Sequence, residues 1–149
     1  MLVRTAVAGD IPTLVGLVRR YWAFEGIPNF DALRIELLLK RLVAERALGE
    51  LWLAQAPGGG VCGYLALVHV MSLEHGGLMG EIDELFVAPE ARRSGAATAL
   101  IEAAQHALRA RGGVRLQLQL ATGNAAARGF YERRGFRSRA GFELLDKPL

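Results

Sequence analysis

The sequence holds a single cysteine, Cys62, in 149 residues. One cysteine excludes an internal disulfide and a cysteine-built metal cluster, and it suits a reducing, cytoplasmic compartment. Aromatic residues are scarce, at 7%. They do not interleave with basic residues as a single-strand nucleic-acid surface requires, so no nucleic-acid partner is expected. No apolar run reaches the roughly 18 residues of a membrane span, so no membrane partner is expected. The first ten residues, "MLVRTAVAGD", lack the apolar core of a secretory leader. Charge of one sign is not concentrated either. Lys and Arg number 18 against 15 Asp and Glu, a net charge of +3. The arginines are scattered, which permits an anionic ligand without demanding one. The three histidines, His69, His75 and His106, show no metal-ligand spacing, and no metal is expected.

What is present is an apolar fraction of 52%, enough for a sizeable core in one compact domain over residues 1–149. Disorder is not expected at that composition. "LVRTAV" alternates as a strand does. Asp10 and Asp31 can each cap a helix, over "IPTLVGLVRRYWAF" and "ALRIELLLKRLVAERA". "ELWLAQA" and "VCGYLALVHVMS" read as strands around the turn signal "PGGG". "LEHGGLMG" reads as a glycine-rich connection, and "EIDELFV" as the next strand. An alanine-rich helix follows to about Arg111, closed by Gly112 and Gly113. "VRLQLQLA" is a strand, "AAARGFYERR" a short helix stopped by Gly135, and "FRSRAGFELLDKPL" a last, imperfect strand. The order βααβββαβαβ defines an α/β fold with a mixed central sheet flanked by helices.

The stretch "FVAPEARRSGAATALIEAA" passes from a strand end through a turn into a helix. A helix N-terminus presents unpaired N–H groups and a positive dipole end, which suit a pyrophosphate. Gly95 lets the backbone approach closely, and Ala96 and Ala97 keep bulk away. Arg92 and Arg93 add charge, and Ser94 and Thr98 add hydroxyls. Neither the Walker pattern nor G-x-G-x-x-G is present. A plain strand–helix turn with solvated arginines explains the same residues.

Arg92-x-x-Gly95-x-Ala97 resembles the R/Q-x-x-G-x-G/A motif of the GNAT N-acetyltransferase superfamily. Downstream, "NAAARGFYERRGF" (Asn124 to Phe136) is similar to that family's N-x-x-A-x-x-F-Y-x-x-x-G-F segment, and the order of elements agrees along nearly the whole chain. Ala97 stands where a second glycine is the other option. The resemblance implies a GNAT-type fold, acetyl-CoA as cosubstrate, and an acetyl group passed to a primary amine in a ternary complex. It implies a pyrophosphate seat at Arg92 to Thr98 and a contact from Asn124, with Ala127 in the same motif, to the pantetheine arm. Asn124 is equally suited to cap the following helix.

Acetyl transfer requires that the amine lose a proton, that the thioester carbonyl be polarised, and that the leaving thiolate gain a proton. The resemblance gives the last role to Tyr131, whose phenol can donate. It gives polarisation to a backbone N–H of Val87, with Leu85 and Phe86 beside the thioester, exposed by a strand bulge. For the base there are three candidates, Glu81, Asp83 and Glu84. In an unbroken strand 81, 83 and 85 share a face and 84 takes the other, a pattern that a bulge would shift. Solvated acidic strand ends explain the same three residues.

The first two helices lie over the acceptor in such a fold, so Tyr21, Trp22, Phe24 and Glu25 are candidate acceptor-wall residues, with core packing as the competing role. His75, beside Glu74, is a further acceptor-site candidate. The acidic "EIDE" favours a small cationic amine. A non-catalytic acyl-CoA-binding module and an acetyltransferase acting on protein amino groups are the alternatives. Oligomeric state is open, and a homodimer is the commonest closed form.

Overall fold

The computed structural model describes all 149 residues. Strand β1 (Leu2–Thr5) is followed by a 3-10 turn at Ala8–Asp10 and by helices α1 (Ile11–Glu25) and α2 (Ala32–Ala44). Strands β2 (Gly49–Gln55), β3 (Val61–Ser72) and β4 (Gly77–Val87) come next. A 3-10 turn at Pro89–Ala91 leads to α3 (Ala96–Ala110), β5 (Arg115–Leu118) and α4 (Ala125–Glu132). The chain divides into two compact units, Met1–Leu118 and Gln119–Leu149.

The first unit holds one sheet in the order β1-β2-β3-β4-β5. Its first three pairings are antiparallel, and β4 with β5 is parallel. This is the mixed α/β sheet that the element order implies. Helices cover both faces. Leu14, Leu17 and Val18 of α1 and Ile35 and Leu39 of α2 cluster with Tyr64, Ala66 and Phe86. In α3, Ala96, Leu100, Ala104 and Leu108 recur every four residues and are buried, the stripe expected of a helix lying on a sheet. A Cβ on Gly80 would meet Leu108 and Leu67 at 2.9 Å, so α3 lies on the face that carries Leu67. Because strand side chains alternate, Leu67 and Ala66 face opposite ways. Among the glycines Gly49 makes the closest approach: a Cβ there would lie 2.0 Å from the Leu67 carbonyl oxygen.

Three expectations need correction. "LEHGGLMG" is not all connection, because β4 begins at Gly77 and pairs with β3 from Ser72↔Gly77 onward. Its glycines admit Leu108 and Val114 at close range and do not break the strand. Residues 137–149 form no strand. They are exposed, with Gly141 at φ +84; Phe142 and Leu144 gain no apolar face to bury. Asp10 does not cap α1 with its side chain. Its carboxylate instead takes both Arg4 Nη1 and Nη2 at 2.8 Å, and the Val7 N–H at 2.8 Å.

The Arg4 hydrogen bonds hold the Asp10 carboxyl down to about 2. A carboxyl depressed in the folded state contributes stability above its unfolded value, near 3.9, and loses it as pH falls through the folded value. Asp10→Asn should therefore cost about 1 kcal/mol at neutral pH, the scale of a charge-assisted pair. It should also flatten the loss of stability between about pH 4 and pH 2. Denaturant melts across that range would check both.

The second unit carries α4, capped by Asn124, whose Oδ1 accepts the Ala127 N–H at 3.1 Å. Tyr131 packs edge-on against Phe130 and Phe136, with centroids 5.2 and 5.4 Å away. The Arg134 guanidinium lies 3.6 Å above the Phe130 ring.

Candidate active site

The site in the first unit starts from one irregularity in β4. Ala66 pairs with Glu84, but Leu67 pairs with Ile82. Asp83 is therefore an extra residue, a bulge, and it re-aims everything around it. Ala66 and Val68 share a face of β3, so their partners Glu84 and Glu81 share a face of β4. Ile82 and Leu85, opposite Leu67 and Leu65, take the other face. The unbroken alternation is thereby overturned, and Glu81 stands with Glu84. The register then runs unbroken to Gly63↔Val87, so the irregularity lies at Asp83, four residues before Val87.

The ladder on the other side of β4 stops at Ile82↔Leu118. Past the bulge, no strand pairs with that edge. The Ala88 N–H donates to the Cys62 carbonyl at 2.8 Å. In an antiparallel pair the bonds alternate, so Val87 and Leu85 turn their N–H and C=O groups away from β3, toward the open edge. Arg92 Nε donates to the Val87 carbonyl oxygen at 3.3 Å.

The three carboxylates differ in what they touch. Glu84 is half-buried and has both oxygens engaged: Trp22 Nε1 donates to Oε1 at 2.8 Å, and the Tyr64 hydroxyl to Oε2 at 2.6 Å. Burial pushes its carboxyl above the usual range, and the two hydrogen bonds oppose that rise. Tyr64 is fully buried. Burial first, and then the Glu84 charge, hold its phenol far above the ordinary value, so it stays a donor. Glu81 accepts from Gln117 Nε2 at 2.6 Å. Asp83 is exposed at the bulge. Partial desolvation, followed by the charge of Glu81, raises its carboxyl above the usual range.

Helix α1 supplies the neighbouring wall. Tyr21 meets Phe86 at 5.9 Å, and Trp22 meets Phe30 edge-on at 5.6 Å. Phe24 is exposed, and the Arg92 guanidinium lies 4.6 Å from its ring centroid. Arg20 makes a two-pronged pair with Glu90 at 3.0 and 2.7 Å, which holds the Glu90 carboxyl down to about 2. Glu25 is exposed at the end of α1. His75 does not join this group. It sits in the turn between β3 and β4. At about 3.3 Å per residue, the seven residues from Gly77 to Glu84 span roughly 23 Å of strand.

The turn before α3 is built of backbone. Gly95 is the N-cap at φ +86, and apart from its own chain neighbours no atom lies within 4 Å of where its Cβ would be. Arg93 also has a positive φ of 62, a conformation that costs a non-glycine residue roughly 1–2 kcal/mol. The Ser94 hydroxyl donates to the Ala91 carbonyl at 2.6 Å and accepts the Ala96 N–H at 3.4 Å. Ala96 is buried, and Ala97 and Thr98 complete the first turn of α3. A left-handed glycine with open space beside it, at a helix N-terminus, fits a pyrophosphate. No three His, Cys, Asp or Glu side chains gather as metal ligands, and no helix is long and apolar enough to cross a membrane.

No motif in the sequence marks Tyr64. A tyrosine inside an apolar strand must find a partner for its hydroxyl, and that requirement points to a nearby acceptor without saying which. The Phe24–Arg92 and Trp22–Glu84 contacts join residues 62 or more positions apart and leave no local signal.

The family model described as "Acetyltransferase (GNAT) family" matches residues 15–136. The chain belongs to the GNAT acetyltransferase family and is an acyltransferase. Among solved structures, an integron cassette protein from the mobile metagenome of Cole Harbour Salt Marsh is 31% identical, with a TM-score of 0.85 over 99% of this chain and 90% of that one. A predicted acetyltransferase from Clostridium acetobutylicum, crystallised with acetyl-CoA, is 22% identical, with a TM-score of 0.80 over 97% and 95%. An aminoglycoside acetyltransferase from an uncultured soil metagenomic sample, in complex with sisomicin, is 17% identical, with a TM-score of 0.79 over 99% and 95%. These likenesses establish the GNAT-type fold. No curated protein matches the chain.

Proposed function

We propose that residues 1–149 act as one domain that transfers an acetyl group from acetyl-CoA to a primary amine by direct attack in a ternary complex, and that the acceptor is a small cationic amine. The observation that carries this reading is the bulge at Asp83. It places an exposed carboxylate four residues before a β4 edge whose Val87 N–H faces no partner strand.

Acetyl-CoA supplies an activated thioester. The first turn of α3 and Gly95 would receive its pyrophosphate, with Arg93 adding charge. The Val87 N–H would donate to the thioester carbonyl oxygen as it gains charge, at no cost in reorganisation. Asp83 would take the proton from the ammonium, directly or through one water. Glu84 is less suited to that task, because each of its oxygens already holds a donor. Glu81 and Asp83 add the negative charge that favours a cationic acceptor, and Tyr21, Trp22, Phe24 and Glu25 would form its wall. Tyr131 would protonate the departing thiolate. Asn124 would reach the pantetheine arm only by sharing or leaving its cap on Ala127.

Initial rates measured with both substrates varied should give intersecting lines. Parallel lines would mean an acetylated enzyme and would overturn direct attack. Gly95→Trp should weaken acetyl-CoA binding by at least about tenfold, because a side chain at φ +86 is strained and would fill the seat. Equilibrium titration with acetyl-CoA checks this, and unchanged affinity would remove the pyrophosphate from that turn.

A further inference from the structure

Arg92 is exposed, yet it makes two contacts within the chain. Its Nε donates to the Val87 carbonyl oxygen at 3.3 Å, and its guanidinium carbon lies 4.6 Å from the centroid of the Phe24 ring. Phe24 is 61% exposed, and the Arg92 guanidinium lies over its ring. Two more contacts run between the same elements: Arg20 to Glu90 and Trp22 to Glu84. The last turns of α1 are thus tied to the end of β4 and to the turn after it at three points.

The Val87 carbonyl lies on the same edge of β4 as the Val87 N–H. An uncovered carbonyl oxygen beside that N–H would repel a thioester oxygen gaining negative charge. A guanidinium on that carbonyl removes the repulsion and adds a permanent positive charge. We propose that Arg92 serves the reacting end of the site, covering the Val87 carbonyl, and that Phe24 is the positioning residue that holds Arg92 there. In that role Arg92 does not hold the pyrophosphate, which falls to the backbone N–H groups of the turn. This rests on the acetyl-CoA reading given above.

The test compares wild type, Phe24→Ala, Phe24→Tyr, Arg92→Ala and the double variant Phe24→Ala/Arg92→Ala. Both residues are exposed, so the variants should fold, which circular dichroism will confirm. The readouts are kcat and the affinities for coenzyme A and for pantetheine, which lacks the pyrophosphate. Phe24→Ala should lower kcat roughly fivefold, the scale of one exposed cation–π contact. Phe24→Tyr should restore it. Arg92→Ala should lower kcat by at least as much, and the double variant should be no worse than Arg92→Ala. The ratio of coenzyme A affinity to pantetheine affinity should not change in any variant.

A fall in that ratio in Arg92→Ala would show that Arg92 holds the pyrophosphate and would overturn the inference. Additive losses in the double variant, or an unchanged kcat in Phe24→Ala, would overturn the role of Phe24. A wild-type chain that binds neither coenzyme A nor pantetheine would overturn the underlying reading as well, so the two failures are distinguishable.

Discussion

Asp83→Asn is expected to lower kcat/KM for the amine by about 10²–10⁴-fold, the usual contribution of a positioned base. The substitution keeps the shape of the side chain and its exposure at the bulge, and it removes the negative charge together with the ability to take a proton. Acetyl-CoA affinity should be unaffected. The pH profile gives the second half of the test. Desolvation and Glu81 raise the Asp83 carboxyl in the folded protein, so it stays protonated, and useless as a base, to a higher pH than an ordinary carboxyl. The acid limb of kcat/KM should therefore lie above the usual carboxylate range near 4, with activity rising as pH rises through it. In Asp83→Asn that limb should vanish. If Glu84→Gln removes the limb and Asp83→Asn keeps it, the base is Glu84, and its bonds to Trp22 and Tyr64 must open during turnover.

Tyr131→Phe is expected to lower kcat by about 10²-fold, at the lower end for general acid–base catalysis, with the acetyl-CoA dissociation constant within about twofold of wild type. The ring keeps its edge-on contacts with Phe130 and Phe136, and only the hydroxyl is lost. The split between kcat and binding distinguishes a lost proton donor from a lost packing contact. A thioester whose leaving thiol is more acidic should narrow the gap, because it needs the proton less. Equal kcat in the two proteins would remove Tyr131 from the chemistry.

The parts of the fold legible in the sequence are those that local pattern decides. Strand β3 falls where "VCGYLALVHVMS" places it, and α3 carries its buried residues at four-residue spacing. Asp31 and Asn124 accept the N–H groups of Arg34 and Ala127, as helix caps do. The parts that depended on distant partners were not legible. Gly77 and Gly80 looked like breakers, yet they are strand residues where Val114 and Leu108 press close. Residues 137–149, read as part of an imperfect last strand, are exposed and form none. Asp10 looked like a cap until Arg4, six residues earlier, claimed it.

The same division runs through the site. The turn at Gly95 and the segment from Asn124 to Phe136 could be recognised because their residues are close in sequence. The order of the carboxylates could not. One extra residue at Asp83 reverses which of them share a face, and nothing in "EIDELFV" announces it. Glu84 was equal to Asp83 as a candidate until Trp22 and Tyr64, from two other elements, occupied its oxygens. Arg92 read as a phosphate ligand, and only the fold brings Phe24 beneath it.

The most direct measurement is thiol release from acetyl-CoA by the purified chain across a panel of amines: polyamines, amino acids, aminoglycosides and peptides with free amino termini. Release should depend on the amine, be fastest with small polycationic amines, and yield an equal amount of N-acetylated product. Acetyl-CoA binding without release on any member of the panel would contradict the catalytic account and leave an acyl-CoA-binding module. Release confined to peptides would place the acceptor among protein amino groups.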